Sequence, residues 1–254
     1  SIAPGDAFLE WGWRVPFFLS IVLVFVGYWI RRGVEESPVF HEIAERKEQV
    51  TNPLGKLIKS HWLLVILASL VFMGNNAAGY MTTGGYIQNY ATDPTGPIGL
   101  ERGPVLWAVA ASAVSWLVFT IIAGAVSDRI GRRNTYILGW ILLFAGIFSL
   151  FPLANTGSVG MLLLGLVVLT IGLGFTYGQQ PAMYAELFPS SVRFSGVSVS
   201  YAIGSILGGA FAPTIAKGLV SSTGTTASVA VYLGVVAVLA LAATLLLRDR
   251  TGIP

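Results

Sequence analysis

The sequence predicts an all-α, polytopic membrane protein with seven transmembrane helices. Three observations carry that prediction. Of 254 residues, 54% are hydrophobic and only 11% charged, with a mean hydropathy of +0.74. A soluble domain carries roughly 25% charged residues, and a disordered chain needs the opposite composition. Glycine is abundant, at 30 residues, which membrane helices tolerate better than soluble ones. Finally, the apolar residues gather into seven continuous stretches, each close to the ~20 residues that span a bilayer. Transmembrane strands would read as ~10-residue alternating segments instead.

The stretches are 15–30, 62–83, 104–126, 136–153, 161–182, 197–215 and 227–247, and none contains Asp, Glu, Lys or Arg. The first is short, but Trp11, Trp13 and Arg14 lengthen it at the interface, where arginine snorkels. After it comes a long charged connection. Ser37-Pro38 there reads as an N-cap followed by proline at the first helical position. Val39, Phe40 and Ile43 share a face, so an amphipathic surface helix is expected, ended by Thr51-Asn52-Pro53. This connection is the natural domain boundary, dividing the chain into 1–32, a linker over 33–61, and 62–254. The remaining loops are short, and 92–103 is rich in Pro and Gly.

Lys and Arg are sorted between alternate connections. Twelve of the 15 (Arg31, Arg32, Arg46, Lys47, Lys56, Lys59, Arg129, Arg132, Arg133, Arg193, Arg248 and Arg250) fall on one side. Arg14, Arg102 and Lys217 fall on the other. The basic side is expected in the cytoplasm, with the N-terminus of this chain outside and its C-terminus inside. Five of the seven tryptophans lie near span ends, as an aromatic belt requires. The net charge of +3 therefore reflects topology; no nucleic-acid partner is expected. With no cysteine and only two histidines, His41 and His61, no disulfide, metal site or cofactor is expected. Ser1 to Glu10 contains no Lys or Arg, so it is no signal-peptide n-region, and it reads as a cut inside a longer protein.

The most specific motif joins the third and fourth stretches: Gly124-Ala-Val-Ser-Asp128-Arg129-Ile-Gly131-Arg132-Arg133. It is a tight hairpin with one acid and three bases. Gly131 suits the turn, and Asp128 can cap a helix or pair with an arginine. A plain basic loop explains the arginines but not their order around Asp128 and Gly131.

Polar residues within the spans are the second constellation. Asn75, Asn76 and Tyr80 lie in the second span, and Tyr177, Gln179, Gln180 and Tyr184 in the fifth. Tyr177, Gln180 and Tyr184 are spaced for one helix face. In hydrocarbon such groups need partners or a wet cavity, so Asn75, Asn76, Tyr80, Tyr177, Gln179 and Gln180 are candidate substrate contacts. The alternative is interhelical hydrogen bonding, worth only ~0.6 kcal/mol on average. In the sixth span Gly196, Ser200, Gly204 and Gly208 form a stripe at four-residue spacing, expected to let another helix approach closely. Pro213 is expected to kink that span near its outer end. Tyr201 beside the stripe is a further candidate substrate contact, or simply a structural hydroxyl.

The 124–133 hairpin resembles the signature loop of the major facilitator superfamily, in the copy between its eighth and ninth helices. Trp11-Gly-Trp-Arg-Val-Pro-Phe-Phe18, Arg31-Arg-Gly-Val-Glu-Glu-Ser-Pro-Val-Phe40 and Ala185-Glu-Leu-Phe-Pro-Ser-Ser-Val-Arg193 resemble its metabolite:proton symporter branch. The resemblance implies a twelve-helix fold of two halves. This chain would hold the sixth helix (1–32), the central linker (33–61) and the six-helix second half (62–254), without helices one to five. It also implies a gate latch built from Asp128, Arg129, Arg132, Glu186 and Arg193 on the cytoplasmic face, with Gly124, Gly131 and Arg133 completing the loop. The implied activity is proton-coupled symport of a small organic acid, osmolyte or related metabolite by alternating access, in the plasma (cell inner) membrane. The partners are a small-molecule substrate, a proton, the lipid bilayer and the first half of the same protein.

The spans contain no carboxylate or histidine, so no proton relay and no acid/base pair is visible in them. An enzyme is not expected. A retinal pump would need a lysine within 227–247, where there is none. The alternatives are a truncated non-transporting remnant and a seven-helix receptor-like or scaffold protein.

Overall fold

The computed structural model describes residue 7 and residues 10–33, 52–82 and 85–247. The expected surface helix, Thr83, Gly84, Arg248 and Arg250 lie outside the described residues. The described residues fold into helices joined by short loops, with no strand among them, and seven segments are long and apolar enough to cross a membrane. These are Gly12–Gly33, Pro53–Thr92, Arg102–Ile130, Arg132–Ala154, Val159–Leu187, Ser190–Thr223 and Ala227–Leu246. Each expected span falls inside one of them, except for Leu247 at the end of the last. The chain divides into two units, Ser1–Gln49 and Val50–Pro254.

In the first unit, a 3₁₀ turn over Gly12–Arg14 leads into α1, Val15–Gly33. The guanidinium groups of Arg14 and Arg32 lie over the rings of Trp13 and Tyr28, 4.7 and 4.6 Å from their centroids. Each end of α1 thus carries an arginine on an aromatic platform, suited to a membrane interface.

The second unit is a helical bundle. Its elements are α2 (Pro53–Thr82), α3 (Tyr86–Thr92), α4 (Arg102–Ile130), α5 (Arg132–Ala154), α6 (Val159–Tyr177), α7 (Gln180–Leu187), α8 (Arg193–Ser205), α9 (Ala212–Thr223) and α10 (Ala227–Leu246). Packing runs as an arc: α4 against α6, α6 against α5, α5 against α10, α10 against α2, and α2 against α8.

Close-packed glycines build one stretch of the arc. A Cβ on Gly139 or Gly146 of α5 would come 2.7 or 2.5 Å from the backbone of Phe175 or Leu169 in α6. A Cβ on Gly172 of α6 would come 2.3 Å from the Cα of Leu143 in α5. Gly174 and Gly178 face α4 in the same way, at 2.8 Å from Phe119 C and 2.3 Å from Thr120 O. Helices whose backbones touch gain dispersion contacts that lipid cannot replace. Where α5 meets α10, a hydrogen bond from Trp140 Nε1 to Thr244 Oγ1 (3.0 Å) closes the seam.

Three spans are interrupted. α2 begins at Pro53, inside the expected 33–61 linker, because Asn52 caps it: the Gly55 N–H donates to Asn52 Oδ1 at 2.8 Å, and proline suits the first turn. It bends at His61, whose φ of −133° and ψ of 18° are not helical. α3 is preceded by Gly85 as its N-cap, which takes φ +87°, a conformation glycine adopts without penalty. The sixth span passes from α8 through a π turn at Ile206–Ala210 to α9. The break therefore precedes Pro213, which occupies the first turn of α9 instead of kinking a continuous helix.

Candidate functional site

Between α2, α4 and α6 lies a groove of about 480 Å³, lined by Phe72, Asn75, Asn76, Trp116, Thr120 and Tyr177 among others. Its lining is mainly apolar, with Asn75, Asn76, Thr120 and Tyr177 as the polar groups on it. The grooves on α5 and α10, lined by Phe144, Phe148, Val231, Val235 and Val238, are apolar, the surface a lipid chain covers.

The two asparagines of α2 differ in their engagement. Asn75 is buried and donates from Nδ2 to Thr176 Oγ1 at 2.6 Å, tying α2 to α6. Asn76, half-buried, donates to the Ser205 carbonyl at 3.2 Å, where α8 gives way to the π turn. Tyr80 is partly exposed and packs against Gly209, where a Cβ would come 2.5 Å from its ring.

α6 ends at Tyr177 and α7 begins at Gln180. This break separates side chains whose spacing implied a shared face. Tyr177 opens onto the groove, whereas Gln180 and Tyr184 are fully buried. Pro181 in the first turn of α7 cannot donate a backbone hydrogen bond, so the ladder is interrupted there. Behind the groove, Phe72 packs on Tyr201 with ring centroids 4.4 Å apart, and Tyr201 packs edge-on to Tyr184 at 5.2 Å. The Tyr184 hydroxyl donates to the Ala68 carbonyl.

This interior is unusual in its polarity. Neither the amide nitrogen nor the oxygen of buried Gln180 makes a well-formed hydrogen bond, although the Tyr201 hydroxyl lies beside it. Gln179 donates to the Phe175 carbonyl at 2.7 Å, but its Oε1 is also unpartnered. Tyr136 Oη and Ser200 Oγ are in the same condition. Buried polar groups without partners cost about 1–3 kcal/mol each. A concentration of them is expected where water or a polar solute is bound.

At one end of the bundle, Gly131 alone joins α4 to α5, with φ +89°. Arg132 is the hub there. It pairs with Asp128 at 2.5 Å, reaches Glu186 at 3.5 Å and donates to Ser127 Oγ at 2.6 Å. Arg133 donates to the Leu245 carbonyl at 2.6 Å, holding the end of α10. Arg129 is exposed and forms no ion pair among the described residues. Arg193 donates to the Phe188 carbonyl at 3.4 Å, away from the acids. Of the five charged residues expected to cluster, the structure brings together Asp128, Arg132 and Glu186. Gly124 lies where α4 passes the Gly178 carbonyl, 3.8 Å from where its Cβ would be.

The stripe on α8 is mixed in character. Gly204 and Gly208 meet the backbone of α2: a Cβ would come 2.8 Å from Ser69 O and 2.3 Å from Met73 O. Gly196 instead meets the ring of Phe188. The α5–α6 seam escaped sequence analysis, though a signal existed: Gly139/Gly146 and Gly165/Gly172 repeat at seven residues in adjacent spans.

A bundle of helices long and apolar enough to cross a membrane, with apolar grooves on α5 and α10 and a groove carrying Asn75, Asn76 and Tyr177 between α2, α4 and α6, is the architecture of a polytopic membrane protein. The chain belongs to the major facilitator superfamily, whose family model matches residues 5–189 and, in a second overlapping match, 98–254. It is 38% identical over 251 residues to the inner membrane metabolite transport protein YhjE of Escherichia coli strain K12, covering 96% of this chain and 56% of the relative. It is 32% identical to the shikimate transporter of the same strain (96% and 56%). It is 27% identical to the proline/betaine transporter of Salmonella typhimurium strain LT2 (100% and 52%). The chain thus spans about half the length of the curated relatives it matches.

Proposed function

We propose that the chain forms the second half, with the preceding helix and linker, of a secondary active transporter for a small polar metabolite. The observation that carries this is the groove presenting Asn75, Asn76 and Tyr177, backed by the buried atoms Gln180 Nε2 and Oε1, Gln179 Oε1, Tyr136 Oη and Ser200 Oγ that make no well-formed hydrogen bond, in a bundle whose apolar cores hold no formal charge. A solute entering from the groove would exchange its water for the groups of Asn76, Tyr177, Gln180 and Tyr201, with Tyr80 beyond them. Asn75 holds α2 against α6 at the same level. The names of the relatives point to zwitterions and organic acids as the solute class.

The mechanism is alternating access, in which two six-helix halves rock about a central site. Asp128, Arg132 and Glu186 form the latch of this half on its cytoplasmic face, with Arg129 and Arg193 free to join it in another conformation. The sorting of Lys and Arg supports this orientation, with the N-terminus of the chain outside in the inner membrane. Residues 1–32 are then the last helix of the first half, 33–61 the linker, and 62–254 the second half. Coupling is to protons; the carrier is placed in the first half, because the spans here hold no carboxylate or histidine at mid-depth.

The test is uptake of labelled betaine, proline and shikimate by proteoliposomes containing the full-length protein, with and without an inward proton gradient. Accumulation that depends on the gradient and disappears in Gln180→Leu and Tyr177→Phe supports the proposal. No uptake of any solute under either condition refutes it. Uptake indifferent to the gradient removes the proton.

A further inference from the structure

At the end of the bundle opposite the Gly131 hairpin lies a second cavity, of about 540 Å³, between α3 and α9. Its walls include Tyr86, Asn89 and Tyr90 from α3, Asp93 just beyond it, and Lys217 and Ser221 from α9. The volume is that of a small-molecule site. None of these residues belongs to the groove.

The cavity pairs opposite charges that do not neutralise each other by contact. Lys217 is exposed and forms no contact ion pair among the described residues, although its charge is felt by Asp93 on the opposite wall. The Asp93 carboxylate is organised by its own loop: Oδ1 accepts from the Thr95 backbone N–H at 2.9 Å and from Thr95 Oγ1 at 2.7 Å. These hydrogen bonds, the larger from the Thr95 hydroxyl, hold the Asp93 carboxyl below its usual range, so it is ionised at neutral pH. Tyr86 and Tyr90 stack in parallel, with centroids 6.3 Å apart, beside it. The Tyr90 hydroxyl is tied to Asn155 at 2.7 Å, which fixes the ring. Aromatic faces next to a carboxylate attract a quaternary or protonated nitrogen; a lysine attracts a carboxylate as a point charge.

We infer that this cavity is a binding site for small zwitterions, with the carboxylate of the solute at Lys217 and its cationic nitrogen between Asp93 and the Tyr86/Tyr90 pair. It supplies a cation near the end of the sixth membrane-crossing segment, beyond the uncharged apolar core expected there. The site would collect solute at the mouth of the bundle before the groove receives it. Only this last step rests on the transport reading; the binding itself does not.

The chain has no cysteine, so a Ser221→Cys substitution places its single thiol on the cavity wall. Labelling of the introduced thiol by a water-soluble maleimide is followed in nanodiscs without any gradient, with glycine betaine, choline and acetate as probes. Glycine betaine at ten times its dissociation constant should slow labelling about elevenfold, because the free fraction falls as 1 + [L]/Kd. Choline and acetate should protect less. Lys217→Gln should abolish protection and Lys217→Arg preserve it, which also shows that the variant backbone is intact. Asp93→Asn should weaken protection by betaine more than by acetate. Labelling unaffected by betaine overturns the site. Protection by acetate equal to that by betaine overturns the zwitterion assignment, as does protection surviving Lys217→Gln. Because nothing is transported in this assay, its failure is distinct from a failure of uptake.

Discussion

Arg132 concentrates three interactions in one side chain, yet its surroundings are unequal. The Asp128 side chain is 66% exposed and that of Glu186 27%. An exposed i,i+4 pair contributes only about 0.3–0.5 kcal/mol. Asp128→Asn should therefore leave membrane insertion and the melting temperature nearly unchanged. It should nevertheless greatly reduce uptake by the full-length protein if the pair latches a conformation. Normal uptake by this variant would sink the latch. Gln180 makes the complementary case. Its amide is buried without a well-formed hydrogen bond, so Gln180→Leu removes an unpaired polar group and should hold or raise the melting temperature. A stabilised but inactive protein is the signature of a residue kept for binding. A protein destabilised by several degrees would show instead that Gln180 is a packing residue. Of these two, the paired charges were legible because their order in the hairpin is local. The isolation of Gln180 was not, because it depends on what α8 brings up beside it.

Among the elements, the α5–α6 seam is the tightest contact. Adding a methyl at Gly172 places it 2.3 Å from the Cα of Leu143, which cannot swing aside as a side-chain end can. Gly172→Ala should cost about 1–3 kcal/mol, the range for overpacking. Gly218→Ala on α9 meets nothing within 4 Å and should be neutral or stabilising by about 0.5–1 kcal/mol, since alanine suits a helix better. Thermal unfolding of the two variants in detergent tests this; equal midpoints would refute the seam. The interruptions between α2 and α3, between α6 and α7, and along α8 to α9 fall beside the groove or the outer cavity. Broken helices at membrane depth are tolerated where they line a cavity. Pro213 was the expected site of a kink in the sixth span, but the interruption lies before it, at Ile206–Ala210. The π turn left no sequence mark, because it follows from the fit of Gly208 and Gly209 against Met73, Asn76 and Tyr80 on α2.

For the whole molecule, the decisive feature is which side of the arc meets lipid. The grooves of α5 and α10 are almost wholly apolar, whereas the groove of α2, α4 and α6 carries Asn75, Asn76, Thr120 and Tyr177. Single cysteines introduced into the cysteine-free chain at Asn76 and Tyr177 should react with a water-soluble maleimide in membranes, and one at Val238 should not. Equal reactivity at Val238 would reverse the assignment of faces. The number of spans and the apolar core of each were determined by the sequence alone, as was the sorting of charge, while the second and sixth run seven to nine residues beyond their expected limits at each end. Transfer of each side chain from water to lipid is a local free energy that sums along a single helix, whatever its neighbours do. Tertiary structure alone decided which residues of each helix face one another. That choice separated Asn75, bonded to Thr176, from Asn76 at the groove, left Arg193 apart from the acids, and set Lys217 across a cavity from Asp93. Rotation of a helix about its axis barely changes its cost in lipid, so only contact between helices selects it.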